Sequence, residues 1–293
     1  MKKTSIKSLA FLSLMAVLMA FSSPSSTSIK ATSTQPKDNT NDLSVCTTQN
    51  SVFQDGEKIT YKLFYNWKFV WVAAGEVTFR VKELENQYHL SAVGRTYKSY
   101  DPFFKVRDTY ECYVDKKTLL PMVSIRDVKE GKYRLYDEVT FDRNRKVAKS
   151  LRGKSKDVAT VTEYPIDQCI HDILSIIYFA RNVDFDNMDA GEQIPINLFM
   201  DKETWPLKVT FKGRQEKKRI KGNGKFKTLQ FSPQVIAGEY FMDGTEMNVW
   251  VSDDKNHLPL IIESPLTVGS VKAVLKKHEG LKYDLEADLK NNK

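Results

Sequence analysis

The stretch ITYKLFYNWKFVW, residues 59–71, decides the fold class. Large apolar side chains occupy every second position, and polar residues such as Thr60, Lys62 and Lys68 stand between them. Because successive side chains of a β-strand point to opposite faces of the sheet, this period of two predicts a strand with one buried face. The stretch is therefore one half-buried strand, or two strands joined by a turn near residues 66–68.

The same period of two continues over most of the following chain. Turn residues interrupt it about every ten residues, which is typical of an antiparallel meander. About 14 strands cannot lie in one flat open sheet, so we expect a mainly β fold, a large curved antiparallel sheet closing to a barrel or half-barrel.

Two hairpins in this pattern read almost alike. They are YVDKKTLLPM, residues 113–122, and WVSDDKNHLPL, residues 250–260. Each combines a strand end, an acidic turn and a Leu-Pro pair that opens the next strand. The sequence therefore predicts one turn device used twice in one curved sheet, in two β-halves.

A single segment between the two halves has the period of a helix. Ile166, Ile170, Ile173 and Ile177 lie on one face of it, so the spacing predicts a central helix over about 166–181 that packs against the sheet. His171 and Asp172 would then lie on its surface.

The amino-terminal residues are typical of a secretory signal peptide. Three Lys precede an apolar run over residues 9–21 that is too short to span a bilayer, and small residues follow it. We expect cleavage near Ser22, export to the periplasm or beyond, and no transmembrane segment in the mature chain. No Cys follows the run directly, which argues against a lipid anchor.

The rest of the chain divides by composition. Residues 23–50 are rich in Ser, Thr, Asn and Pro and predict a flexible tether. Residues 51–280 carry the strands and the helix and predict one β-rich domain. The charged residues 281–293 predict a frayed tail. Removal of the signal peptide would lower the formal charge from +8 to +5, which is too mild to indicate nucleic acid, a partner that an exported protein rarely meets.

The sequence contains three cysteines and four histidines. In an oxidising compartment we predict a disulfide between Cys46 and Cys169, which would pin the tether to the body; the alternative is three unpaired thiols. Neither a Cys-x-x-Cys pair nor a metal-ligand spacing of histidines occurs, so we expect no metal and no cofactor. The chain has no nucleophile elbow, phosphate loop or defensible acid pair, which leaves enzyme activity unsupported, although not excluded.

An aromatic stripe in the opening stretch has two interpretations. Its side chains are either solid core or the lining of a concave apolar site for a small molecule or acyl chain. The stripe consists of Tyr61, Tyr65, Trp67, Phe69 and Trp71.

A basic cluster between residues 208 and 227 also has two interpretations. It is either a solvated outer face that discourages edge-to-edge pairing of strands, or a contact with anionic lipid head groups or acidic glycans. The candidate residues are Lys212, Arg214, Lys217, Arg219, Lys221 and Lys225.

An ordered set of short motifs resembles the bacterial domain-of-unknown-function family 3108. The motifs are FQDGEKITY at 53–61, AGE at 74–76, FKVRD at 104–108, DILSIIYFAR at 172–181, LP at 258–259 and GSVKA at 269–273. The resemblance implies an exported β-rich protein of the cell envelope and brings no catalytic residues with it. The doubled hairpin and the curved sheet with a helix also resemble periplasmic lipoprotein carriers and receptors, whose half-barrels hold acyl chains.

Three functions follow from these observations. The first is a non-enzymatic binding or carrier protein for an apolar or lipid-like ligand. The second is a structural or interaction module that docks envelope partners through its basic hairpin and sheet faces. The third is an enzyme that acts on envelope glycans or lipids.

Overall fold

The computed structural model describes residues 47–67, 70–236 and 245–290. Its strands form one antiparallel sheet in the order β8-β7-β6-β5-β4-β3-β2-β1-β14-β13-β12-β11-β10-β9, which curls without closing. The strands are β1 Lys58–Trp67, β2 Val70–Glu83, β3 Gln87–Thr96, β4 Arg107–Asp115, β5 Pro121–Glu130, β6 Tyr133–Asp142, β7 Val147–Gly153, β8 Thr160–Pro165, β9 Gln193–Met200, β10 Glu203–Ile220, β11 Gly224–Pro233, β12 Asn248–Ser252, β13 Pro259–Pro265 and β14 Ser270–Glu279. The helix α1, Ile173–Ala180, lies between β8 and β9.

The sheet consists of two meanders. Strands β1 to β8 form one and β9 to β14 the other, and the pairing of β1 with β14 joins them. Predictions of a mainly β fold, about 14 strands and a curved sheet are confirmed. The opening stretch is two strands, since β1 ends at Trp67 and β2 begins at Val70.

The helix is shorter than the sequence predicts, so the expected range 166–181 is wrong at its start. Asp172 accepts a hydrogen bond from the Ser175 N–H at 2.8 Å, and the Ser175 hydroxyl accepts one from the Asp172 N–H at 3.0 Å. This capping box starts the helix at Ile173. His171 instead pairs in parallel with Leu198 of β9, so the preceding backbone hydrogen bonds go to the sheet. No helix among the described residues is long and apolar enough to cross a membrane.

The two similar hairpins use the same turn device. Each hairpin contains a β-bulge. It lies directly before the pair Val114–Pro121 in the first hairpin and before the pair Val251–Pro259 in the second. Two residues before each Pro, the backbone takes a positive φ, 55° at Leu119 and 40° at His257, which is uncommon for a residue other than Gly. The Leu directly before each Pro is buried in both hairpins. The predicted repetition is therefore one of backbone geometry as well as of sequence.

The far part of the β10–β11 hairpin contacts strands β12 and β14. At its tip, the Asn223 amide donates a hydrogen bond to the Leu275 carbonyl of β14. The carboxy-terminal residues 281–290 differ from the predicted frayed tail, because Ala287 is buried and its carbonyl accepts a hydrogen bond from the Lys227 N–H at 3.0 Å. Residues 291–293 lie outside the described part of the chain.

A buried ion pair connects three distant parts of the chain. Arg181, directly after α1, donates two hydrogen bonds to the carboxylate of Glu57, at 2.6 and 2.9 Å. Its Nε–H donates to the Asn256 carbonyl in the β12–β13 turn at 3.2 Å. Because Glu57 immediately precedes β1, this pair fixes the end of α1 against both meanders.

We expect removal of one partner of this pair to cost more than removal of both. Arg181→Met leaves the Glu57 carboxylate buried without its cation and should lower the free energy of unfolding by about 3–5 kcal/mol. The double variant Glu57→Leu with Arg181→Met should recover a large part of that loss. Denaturant unfolding of the three proteins measures both values; additive losses in the double variant would contradict the account.

Candidate ligand cavity

A cavity of about 210 Å³ lies between α1 and strands β9 to β13. Its lining is almost entirely aliphatic and aromatic, with contributions from β1 and β2 at one end. The aliphatic residues of the wall that are only half-buried are Ile176, Ile177, Val183, Ile194, Ile196, Val209, Met247, Val249 and Ile262.

The helix contributes apolar side chains both to the main core and to the cavity. Ile173, Leu174 and Tyr178 are buried in the main core. Ile176 and Ile177 project toward the cavity and remain half-exposed. A close-packed interior would cover such side chains. The concave apolar surface is therefore open to solvent, which is the usual form of a small-molecule site.

Polar groups gather where the cavity meets β1 and the β12–β13 turn. The Tyr61 hydroxyl donates a hydrogen bond to the Pro259 carbonyl at 2.8 Å. The Tyr178 hydroxyl is buried and has no hydrogen-bond partner among the described residues. Burial raises the pKa of both phenols, and the nearby Glu57 carboxylate adds to this effect. Both hydroxyls therefore stay protonated.

The predicted aromatic stripe is divided by the structure. Tyr61 lines the cavity, whereas Tyr65 is buried in the core. The Tyr65 hydroxyl donates a hydrogen bond to the Val268 carbonyl at 3.1 Å. Trp71 is 41% exposed, and the Lys272 ammonium lies 4.4 Å from its ring centroid. The Trp67 side chain and Phe69 lie outside the described residues. Trp71 pairs with Asn66 rather than with Tyr65, so it lies on the opposite face of the sheet and the stripe forms no single face.

The second meander supplies most of the cavity wall, which the sequence interpretation missed. Ile194 and Ile196 of β9 alternate with Gln193 and Pro195, a pattern identical to that of a strand packed on a solid core. Periodicity shows which face of a strand is apolar. It does not show whether another element covers that face.

Unlike the second meander with its apolar cavity wall, the first meander contains a network of buried charged side chains. Arg126 and Arg152 each donate hydrogen bonds to both Asp137 and Asp201, over distances of 2.6 to 2.8 Å. Although burial opposes ionisation of Asp137, the two guanidinium groups hold its pKa below the usual range. Since Asp201 lies in the β9–β10 turn, this network joins β5, β6 and β7 to the second meander.

Asp108 and Glu130 form a buried carboxyl pair beside this network. The Asp108 carboxylate accepts a hydrogen bond from the Lys129 N–H at 2.8 Å, while Asp108 Oδ2 and Glu130 Oε1 have no donor among the described residues. Burial raises the pKa of Asp108 to about 6 and, together with the Asp108 charge, that of Glu130 to about 9. A proton on Glu130 allows the two carboxyls to share a hydrogen bond.

His171 and Asp172 are buried, so their predicted surface position is wrong. Asp172 accepts a hydrogen bond from the Cys112 thiol at 3.1 Å as well as capping the helix. Burial raises the pKa of the Cys112 thiol well above its usual range, which keeps the nucleophilic thiolate unpopulated. These groups stabilise the start of α1 and do not line the cavity between α1 and strands β9 to β13.

The basic cluster is only partly neutralised. Lys212 lies 3.4 Å from Glu246, and Arg214 contacts Asp253 at 2.6 Å. Four exposed residues have no ion pair within the described part of the chain: Lys217, Arg219, Lys221 and Lys225. Lys218 between them points to the sheet, with its ammonium 3.5 Å from the Trp250 ring centroid. The four cations therefore lie together on the outward face of the hairpin.

Cysteine pairing stays a prediction. Cys112 is a free buried thiol and Cys169 is disulfide-bonded. Cys46 lies outside the described residues, as do the predicted signal peptide and most of the predicted tether. In the described ranges, no three His, Cys, Asp or Glu side chains are placed to hold a metal ion.

The chain matches a known protein family. The family model "Protein of unknown function (DUF3108)" matches residues 60–276. The chain belongs to the DUF3108 family. No curated protein matches it.

Two solved structures resemble this DUF3108 protein. A β-barrel-like protein of domain of unknown function DUF1849 from Brucella abortus covers 80% of the chain and 100% of its own length, at 10% identity and a TM-score of 0.52. At this identity the likeness shows the fold alone. A putative exported protein with a YmcC-like fold from Bacteroides fragilis covers 78% and 97%, at 11% identity and a TM-score of 0.30.

The carboxyl pair makes stability depend on pH. Because Glu130 keeps its proton up to about pH 9 in the folded state and a Glu of the unfolded chain ionises near 4.3, the folded state binds more protons between these values. The free energy of unfolding should therefore fall as pH rises from 6 to 9, by on the order of 1.4 kcal/mol per unit for each such proton.

The variant Glu130→Gln should flatten this slope in denaturant titrations at several pH values. Glu85→Gln, in an exposed turn, is the matched control and should keep the wild-type slope. Equal slopes in wild type and Glu130→Gln would show that the pair does not hold the proton.

Proposed function

We propose that this protein is an exported, non-enzymatic binding or carrier protein for an apolar or lipid-like ligand, held between α1 and strands β9 to β13. One observation carries the proposal: nine aliphatic side chains that surround one concave cavity remain half-exposed. A contiguous apolar concavity open to water is costly unless a ligand covers it. Export rests on the amino-terminal sequence.

The size of the cavity limits the ligand. At about 210 Å³ it exceeds the engineered apolar cavity of about 150 Å³ that takes up benzene. It is smaller than ligand pockets of about 300–1,000 Å³. The cavity therefore suits one alkyl chain or a small ring system, with the rest of a larger ligand outside.

Filling the cavity should abolish ligand capture. We expect an organic extract of the wild-type protein, purified from its native envelope, to contain an apolar compound by mass spectrometry. Val249→Trp inserts an indole into the wall of the cavity, so its extract should lack that compound. Val93→Trp, at an exposed position on β3, is the matched control and should retain it. A wild-type extract without such a compound would contradict the proposal.

A second candidate function is docking of anionic envelope surfaces through the basic hairpin. The four unpaired cations on its outward face support this role. Arg219 of β10 stands directly opposite Lys225 of β11, and Lys217 and Lys221 flank it at alternate positions. A cluster of this size attracts anionic lipid head groups, each cation contributing about 1 kcal/mol near the surface.

Vesicle binding tests the second candidate. We expect the protein to sediment with phosphatidylglycerol vesicles at low salt and to dissociate as salt screens the charges. Lys217→Glu with Arg219→Glu should abolish binding. Lys132→Glu with Lys154→Glu changes the net charge equally at exposed sites elsewhere and should weaken binding much less. Binding that ignores salt, or that responds equally to both double variants, would contradict this role.

A further inference from the structure

Exposed apolar side chains gather at one end of the sheet. Among the described residues, ten large apolar side chains are exposed, and five of them lie in three connections at this end: Val70, Trp71 and Val72 at the start of β2, Phe103 between β3 and β4, and Val268 between β13 and β14. Their exposed fractions run from 37% at Val72 to 74% at Phe103. Apolar surface residues are normally scattered singly, so such a group marks a contact with another molecule. We call these five residues the apolar tip.

The three connections meet around Tyr65. Val72 stands directly opposite Tyr65 in the pairing of β1 with β2, and the Tyr65 hydroxyl donates a hydrogen bond to the Val268 carbonyl at 3.1 Å. Burial raises the pKa of the Tyr100 phenol and the nearby Tyr65 phenol adds to this effect, so the two rings are neighbours. Tyr100 in turn contacts Phe103, with ring centroids 6.0 Å apart. The exposed residues therefore form one group.

Both faces of the β1–β2 hairpin are apolar and exposed at the tip. Val72 shares the core-facing side with Tyr65, whereas Trp71 stands opposite Asn66 on the other side. The hairpin therefore extends past the end of the core. A protein partner would have to enclose it from two sides, whereas a lipid bilayer surrounds any part inserted into it. Trp and Phe rings beside Lys are also typical of segments at a membrane–water interface.

Positive charge accompanies the apolar tip. Lys98 and Lys105 are exposed, lie on either side of Phe103 in the chain and form no ion pair within the part of the chain that the structure describes. The acid between them, Asp101, is already paired with Arg107 at 2.6 Å. The two ammonium groups are therefore available to anionic lipid head groups.

A line of contacts connects the apolar tip to the basic hairpin. The Lys272 ammonium lies 4.4 Å from the Trp71 ring centroid and 2.7 Å from the Glu263 carboxylate. Burial lowers the pKa of Lys218 in β10, the Glu263 charge opposes this shift and the Lys272 charge adds to it, so Lys218 lies near both groups. Because Lys218 belongs to the basic hairpin, the two surfaces are neighbours.

We propose that the anionic surface on which the protein docks is a lipid bilayer, and that the apolar tip inserts into it while the basic hairpin binds its head groups. This inference rests on the second candidate function and adds to it the class of partner. Acyl chains, which an acidic glycan lacks, give the tip its favourable environment. Both elements are needed, because stable peripheral anchoring generally takes two weak signals.

Paired neutral substitutions test the tip with phosphatidylglycerol vesicles at low salt. Val70→Asn with Val72→Asn keeps the net charge and removes two apolar side chains, so it should weaken vesicle binding about tenfold. Val158→Asn with Val161→Asn is the matched control, at valines that are 64% and 53% exposed near the β8 edge of the sheet, and should bind like wild type. All four valines are exposed, so both variants should keep the wild-type unfolding midpoint.

Two further measurements separate insertion from charge attraction. Dextran sulfate, a polyanion without acyl chains, should bind wild type and both variants equally. Phosphatidylglycerol with brominated acyl chains should quench the tryptophan fluorescence of wild type, and Trp71→Phe should lose part of that quenching while it still binds.

The outcomes distinguish the two proposals. Failure of wild type to bind the vesicles would overturn the docking function and this inference with it. Equal vesicle binding by wild type and Val70→Asn with Val72→Asn, or equal quenching in Trp71→Phe, would overturn insertion and leave electrostatic docking standing. A wild-type dimer that dissociates in the Val70→Asn, Val72→Asn variant would also overturn it, because a second copy would then cover the tip.

Discussion

The bidentate ion pair between Glu57 and Arg181 is the constraint on which the rest of the structure depends. It joins the start of β1, the end of α1 and the β12–β13 turn at one buried point. A buried ion pair adds little net stability, because the cost of removing both charges from water offsets their attraction. It strongly disfavours, however, any arrangement that separates the two groups. Fixing the end of a two-turn helix in this way determines its tilt over the sheet. It thereby sets the distance between the second meander and the two helix residues that face the cavity, Ile176 and Ile177.

A second charged network closes the other part of the sheet. Arg126 and Arg152 hold Asp137 and Asp201 together, so the first meander is tied to the β9–β10 turn although β8 and β9 are the two edges of the sheet. The two halves therefore differ in their interiors. Apolar side chains of the main core, one side of the helix and the charged network fill the first half, while the second keeps an apolar cavity. The cavity stays open because buried ion pairs and the main core, rather than packing across the cavity, fix the positions of α1 and the sheet.

Much of this architecture could be predicted from the sequence. Alternation in residues 59–71 indicates strands, and the two Leu-Pro hairpins do share a bulge and a positive φ. The helix start could not be predicted correctly, because Ile166 and Ile170 continue the helical spacing although their segment only connects β8 to the helix. The capping box that starts the helix lies later, at Asp172 and Ser175. Local periodicity cannot reveal a backbone partner that lies about thirty residues away in sequence, as Leu198 does for His171.

The candidate site was harder to predict for a related reason. Tyr61 belongs to a stripe of five aromatic residues, but a strand pattern cannot distinguish core from cavity wall, since both need the same side chains. The unused hydroxyl of Tyr178 could not be found either, because bonding partners depend on the packing of α1 against β1. Both features arise where two elements that are distant in sequence come into contact.

A crystal structure of the protein equilibrated with octan-1-ol tests the central claim most directly. The account predicts electron density for one alkyl chain between α1 and strands β9 to β13, against the half-exposed aliphatic side chains of that wall. An empty cavity, or an alcohol bound only elsewhere on the protein, would contradict it.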